Sequence, residues 1–459
     1  MTNRASVALT GWGRTAPTLT SLVEDVWDSG LQQVVRMAHD GGSAVRGRGV
    51  IARGMGRSYG DAAQNAGGVT VDMTGRHRVV DFDQETGRLV VEAGASLDHL
   101  MRLFVPRGWF VPVTPGTRFV TVGGAIGADI HGKNHHVDGS FCEHVTDLDL
   151  LTADSEIRCI SPGTDENLFW ATAGGMGLTG IITSATLRLR PITTSRMRVD
   201  TERAVDLDDL LDRLARTDDQ YTYSVAWIDC VATGARLGRS VLTRGWHAEA
   251  DDLTPRQQAH PLQFAPRQLL TAPAWVPRGL LNSTTVAAFN EMWYRRHPQE
   301  RRGEIQTIAQ FFHPLDGVAD WNRIYGSTGF VQYQCTIPFG HEGTLRQIVE
   351  RLATSGHASF LAVLKRFGRA NPGFLSYPSP GWTLALDIPA GDPTLPGLLD
   401  ALDELVVGAG GRLYLAKDAR MRPELVPLMY PELERFRAVR DRVDPARIFT
   451  SDMSRRLHL

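Results

Sequence analysis

The chain is nearly devoid of lysine. Of its 49 Lys and Arg residues, only Lys133, Lys365 and Lys417 are lysine. An amine, unlike a guanidinium, has a pKa that burial can lower until the proton is lost, so each lysine in so arginine-rich a chain is a candidate for chemistry. Cysteine is also sparse. Cys142, Cys159, Cys230 and Cys335 lie far apart and form no CxxC pair, which disfavours a disulfide framework or zinc ribbon and leaves free buried thiols. No run of about 18 apolar residues occurs, so no membrane-spanning helix is expected. The start, MTNRASVALTGWGR, lacks an apolar stretch of signal length. A cytoplasmic or membrane-associated location is expected, with peripheral membrane contact left open. A net charge of −2 without a basic run gives no reason to expect nucleic acid. The GxSxG and GxxxxGK[ST] motifs are absent, and with them the anchors of hydrolase and kinase readings. His131, His135 and His136 lie near Asp129 and Asp138 but have no HExxH frame or cysteine partner, so no metal is expected.

What remains is ordinary globular composition: 459 residues, 42% hydrophobic and 22% charged, enough for two or three domains. Leu31, Val34, Val35 and Ala38 recur at helical spacing up to Gly41-Gly42. Val50-Ile51-Ala52 and Leu89 to Glu92 read as strands. Ser96 caps a helix whose apolar face is Leu97, Leu100, Met101 and Phe104. A short helix around Leu168 to Ala173 precedes a strand from Ile181 to Arg190. After Pro191 the glycine clusters thin out. Pro261 to Leu281 and Pro314 to Gly329 read as long loops. Leu398, Leu399, Leu402, Leu405 and Val406 mark a late helix, and RLYLAKDA reads as a strand after it. The expected organisation is an α+β lobe over 1–195, an inserted lobe over 196–410 and a C-terminal return over 411–459.

Four segments carry chemistry. Ala52-Arg53-Gly54-Met55-Gly56-Arg57-Ser58-Tyr59-Gly60-Asp61-Ala62 follows a strand; its glycines let backbone N–H groups turn inward as an anion nest, with a pyrophosphate as the natural occupant. The second runs from Thr121 to Gly132, where small residues allow backbone to approach a flat ring. Gly175 to Gly180 matches GxGxxG as text, but a helix precedes it and a strand follows, the reverse of the dinucleotide fingerprint. In Tyr414-Leu415-Ala416-Lys417-Asp418, strand alternation would put Lys417 on the half-apolar face with Leu415. A lysine there is costly unless paired or partly neutral, which makes it a base or an anion partner.

Together these segments resemble the vanillyl-alcohol-oxidase type of flavoprotein. The carrying stretches are ARGMGRSYGDAAQN, PGTRFVTVGGAIGADIHGKNHH, GSFCEHVTDLDLLTAD, LFWATAGGMGLTGII, RLYLAKDAR and DPARIFTSDMSRRL. Within that family they are similar to the members that oxidise the 2'-hydroxyl of a polyprenylphosphoryl ribose, the first half of an epimerisation feeding cell-wall arabinan. The resemblance implies an α+β fold: a two-lobed FAD-binding domain with an inserted α+β substrate domain. It implies that residues 52 to 62 wrap the pyrophosphate. Gly116, Thr121, Val122, Gly123, Gly124, Ala128, Asp129, Ile130, His131, Ile182 and Tyr414 would line the rest of the FAD. Trp227, Gln334, Lys365 and Ala385 would line the sugar pocket, with Lys417 beside the flavin and the substrate hydroxyl. Lys417 is the first choice of base, with Tyr59 and His131 as alternatives. Arg57 stands where covalent members carry a flavin-linking histidine, so the FAD is expected to be non-covalent. Ala385 stands where mycobacterial members have cysteine. An NAD(P)H-dependent keto-sugar reductase would complete the epimerisation, and a periplasmic location has been proposed for the family. Two rival readings remain: a soluble sugar or alditol oxidase using oxygen, and a flavin-binding scaffold without turnover.

Overall fold

The computed structural model describes residues 4–24, 27–40, 47–273, 275–276 and 281–459. Two sheets make the first half. A four-stranded sheet has the order Arg4–Leu9, Thr18–Val23, Val69–Asp72, Val50–Arg53. Its parallel pairs join Val69–Asp72 to both neighbours. The helix Asp28–His39 buries Leu31, Val34, Val35 and Ala38 in a core shared with Val50, Val69 and Val71. The glycines expected to end that helix lie outside the described residues. The second sheet is five-stranded and antiparallel, in the order Val79–Phe82, Arg88–Glu92, Ile181–Arg188, Val145–Leu151, Ile157–Ile160. Ser96 Oγ accepts from the His99 N–H at the start of helix Leu97–Phe104, a side-chain cap as the sequence leads one to expect.

An eight-stranded sheet dominates the second half. Its order is Glu300–Thr307, Arg196–Ala204, Ser240–His247, Tyr223–Ile228, Leu361–Phe367, Gly381–Pro389, Phe330–Pro338, Arg412–Leu413. Helices Leu207–Thr217, Glu342–Thr354 and Leu395–Gly408 pack on it. The chain end returns to the first sheet: Val50 bridges Phe449, and the Arg456 guanidinium pairs with Asp61 and Asp418. The expected α+β fold is the one seen.

Two expected elements differ. RLYLAKDA is a strand only over Arg412–Leu413. From Tyr414 the chain tightens, and the Lys417 N–H donates to Tyr414 O at 2.9 Å. The reason is tertiary: the Tyr59 N–H takes Ala416 O at 3.0 Å, so this backbone pairs with the 52–62 segment rather than extending a ladder. Alternation therefore does not place Lys417. The two long loops are also not plain loops. Pro314–Gly317 and Trp321–Tyr325 are short helical turns. Val318–Ala319 pairs in parallel with Leu270–Thr271, which joins the two segments to each other.

Candidate active site

The two glycine segments meet at the base of one cavity of about 1010 Å3, whose wall also includes the eight-stranded sheet. Strand Val50–Arg53 delivers the first segment. The N–H groups of residues 54 to 58 donate to no protein acceptor among the described residues. Five successive donors left free beside a cavity form an anion nest. Thr121 Oγ1 accepts from the Gly124 N–H at 3.1 Å and caps the short helix Val122–Gly127. A Cβ on Gly54 would lie 2.2 Å from that same Thr121 Oγ1, so glycine is required where the segments touch. A Cβ on Gly116 would meet no protein atom within 4 Å.

Most of the residues expected at the site line this cavity. From the first segment these are Ala52, Arg53, Gly54, Met55, Gly56, Arg57, Ser58, Tyr59, Gly60 and Ala62. Gly116, Thr121, Gly123, Gly124, Ala128, Ile130, His131, Ile182 and Tyr414 join them. Trp227, Gln334, Lys365, Ala385 and Lys417 complete the set. Three expected cofactor residues have side chains engaged elsewhere. Asp61 is drawn to Arg456. Val122 belongs to the core. Asp129 is fully buried and accepts from Ser140 Oγ and the Cys142 N–H, a tie that fixes the following turn.

All three lysines face the cavity. Burial pulls the Lys133 amine down to about 7, helped by nearby Lys365. Burial alone takes Lys365 to about 8. Lys417 falls to about 7, chiefly through burial, against an upward pull from Asp387. Burial in turn pushes the Asp387 carboxyl up to about 7. The two groups thus share protonation near neutrality. Asp387 is wholly buried. One oxygen accepts from Gln332, while the other has no partner. Lys417 Nζ lies 4.0 Å from the centre of the Tyr59 ring.

The three candidate bases separate on this geometry. Burial holds the Tyr59 phenol well above its ordinary value, so it keeps its proton. Burial, then Lys365, His135 and Lys417, holds His131 well below its ordinary value. Its Nε2 is engaged by Gln334 Nε2 at 3.0 Å. With Gln334 donating, the ring proton sits on Nδ1, which is buried without a partner. Of these three, only Lys417 combines a cavity position with a group able to lose its proton near pH 7. Lys133, also drawn to about 7, has its Nζ donating to Phe311 O.

Sequence reasoning missed Asp387 and Gln332. The available signal for Asp387 was an acid inside GWTLALDIP, a strand buried over all but its last residue, where an unpaired carboxylate is costly. Lys133 was marked only by its rarity.

An FAD binding domain model matches residues 29–161, and a D-arabinono-1,4-lactone oxidase model matches residues 392–457. The decaprenylphosphoryl-beta-D-ribose oxidase of Mycolicibacterium smegmatis is 46% identical over 453 residues, 98% of this chain and 97% of that protein. The chain belongs to the decaprenylphosphoryl-β-D-ribose oxidase family. More distantly, L-gulono-1,4-lactone dehydrogenase of Mycobacterium tuberculosis H37Rv is 24% identical over 95% of this chain and 96% of its own length. As a member of this oxidase family the protein is an FAD-dependent oxidoreductase. The residues present fit that cofactor: the free N–H groups suit a pyrophosphate, and the open side of Gly116 and the unpartnered Nδ1 of His131 flank space for a ring.

Proposed function

We propose that the protein oxidises the ribose 2'-hydroxyl of a decaprenylphosphoryl-β-D-ribose to the 2'-keto sugar, the first half of epimerisation to the arabinose donor of cell-wall arabinan. The observation that carries this reading is a cavity that joins an FAD-type anion nest to three cavity-facing lysines on a chain 46% identical to an oxidase of that substrate. When bound, FAD supplies the hydride acceptor. The protein's own contribution is position and charge. Residues 54 to 58 hold the pyrophosphate, and Arg57 has no side chain for a flavin bond, so the cofactor is dissociable. Gln334 and Lys365 orient the sugar, and Lys417 takes the hydroxyl proton. The phosphate's negative charge matches the surplus of lysine over carboxylate in the cavity. A separate NAD(P)H-dependent reductase would return the keto sugar with inverted configuration, and contact with a membrane face would supply the lipid substrate. Among the described residues, no helix is long and apolar enough to cross a membrane.

The test is an anaerobic absorbance spectrum of the FAD-loaded protein. Prenylphosphoryl ribose should bleach the flavin band, and free ribose should not. Bleaching by free sugars, with fast peroxide release once oxygen is admitted, would favour a soluble sugar oxidase. A flavin that no sugar phosphate reduces would favour a scaffold.

A further inference from the structure

The register of the eight-stranded sheet places five cavity residues in one line across the strands. Gln334 pairs with Ala385, Ala385 with Val363, Val363 with Trp227, and Trp227 with Val241. All five line the cavity. Cross-strand partners share a sheet face, and four spacings of about 4.8 Å make a track roughly 19 Å long. Its chemistry is graded. The inner end is polar, where Gln334 meets His131 at 3.0 Å. From Ala385 outward the line is apolar. Beside it runs a second cross-strand row of cavity residues, Val225, Thr243 and Thr201.

The track also has a roof. Helix Ser283–Arg296 turns Phe289, Trp293 and Arg296 to the cavity, a spacing that keeps all three on one helical face. Phe289 stacks on Trp293 with ring centres 5.9 Å apart, and contacts Phe360 at 4.9 Å. The same helix buries Val286 and Asn290 and is tied to the body of the protein from its other side: Asn290 Nδ2 donates to Asp229 at 2.7 Å, Arg239 to Glu291 at 2.6 Å and the Tyr294 hydroxyl to Ala204 O at 3.2 Å.

We propose that this track binds the first isoprene units of the substrate's prenyl chain, laid across the sheet and covered by helix Ser283–Arg296. This rests on the function proposed above and deepens it. The sugar occupies the Gln334 end, beside Lys365, and the phosphate remains there with the inner lysines. The chain then runs past Val363, Trp227 and Val241, which gain by excluding water from branched apolar carbon. This route differs from an exit through the paired segments around Leu270–Thr271 and Val318–Ala319. It also explains why Phe289 and Trp293 line the cavity.

The experiment is flavin bleaching of the FAD-loaded protein under anaerobic conditions, titrated with ribosyl-1-phosphate and with its geranyl, farnesyl and longer prenyl esters. In the unmodified protein the apparent Kd should fall at least tenfold from the tail-free sugar to the farnesyl ester, then level off. Val241→Trp, which fills the track, and the doubly substituted F289S/W293S protein, which unroofs it, should bring the ratio of tail-free to farnesyl Kd close to one. Using a ratio within each folded, flavin-loaded variant separates loss of the track from general damage. A ratio unchanged in both variants, or no gain with chain length in the unmodified protein, would overturn the track. If no ribosyl phosphate of any length bleaches the flavin, the underlying function falls and the track falls with it.

Discussion

At the residue scale, the proposed role of Lys417 as base requires its amine to be neutral when the substrate arrives. Lys417 and Asp387 both titrate near 7 because both are buried. A base must be unprotonated to work, so the rate of flavin reduction should rise about tenfold per pH unit below 7 and level off above it. Lys417→Met should retain bound FAD, seen in its spectrum, and lose reduction by prenylphosphoryl ribose. Asp387→Asn removes the charge that pulls the Lys417 pKa upward. Its pH–rate limb should therefore move to lower pH, with the flavin spectrum unchanged. A limb that stays in place would detach Asp387 from the proton transfer.

At the scale of elements, contacts between segments position the site. Gly60 sits under the Lys417 turn: a Cβ there would lie 2.0 Å from Asp418 O. Gly60→Ala should push that turn aside and slow reduction more than it weakens FAD binding, as single-turnover bleaching would show. The turn at Pro314–Gly317 is tied down by Asp316, which accepts from the Arg118 N–H at 2.8 Å, from Thr117 Oγ1 at 2.7 Å and from Arg118 Nη1 at 3.3 Å. Arg118 is itself 1% exposed. Asp316→Ala leaves that guanidinium with Asp98 alone and should cost about 3 kcal/mol in denaturant unfolding. Much of this architecture was legible in the sequence where the signal is local. Ser96 and its apolar helix face, the glycine segment after Val50–Arg53, and the helix-then-strand order around Gly175 all follow from short-range rules. The Lys417 turn did not, because what bends it is Tyr59, more than 350 positions earlier. Asp387 was hidden for the same reason: its meaning comes from Gln332 across the sheet.

At the scale of the whole molecule, both halves of the chain face one cavity, and its contents should hold them together. A cofactor that binds only the folded state adds about 2.7 kcal/mol of stability at a hundredfold excess over its Kd. Thermal unfolding should therefore shift upward with added FAD in a concentration-dependent way, and removal of FAD should lower Tm reversibly, as a dissociable cofactor requires. Equal melting with and without FAD would contradict a shared cavity.

The placement of the lysines reaches beyond catalysis. Lys133, Lys365 and Lys417 all line the cavity, so an amine-reactive reagent reaches the lysines of this chain through that cavity. Acylating dyes and cross-linkers that react with lysine should therefore modify this protein inside the cavity, and if Lys417 is the proposed base, immobilisation through lysine should abolish flavin reduction. The same sparseness makes such reagents a selective footprint of whatever fills the cavity.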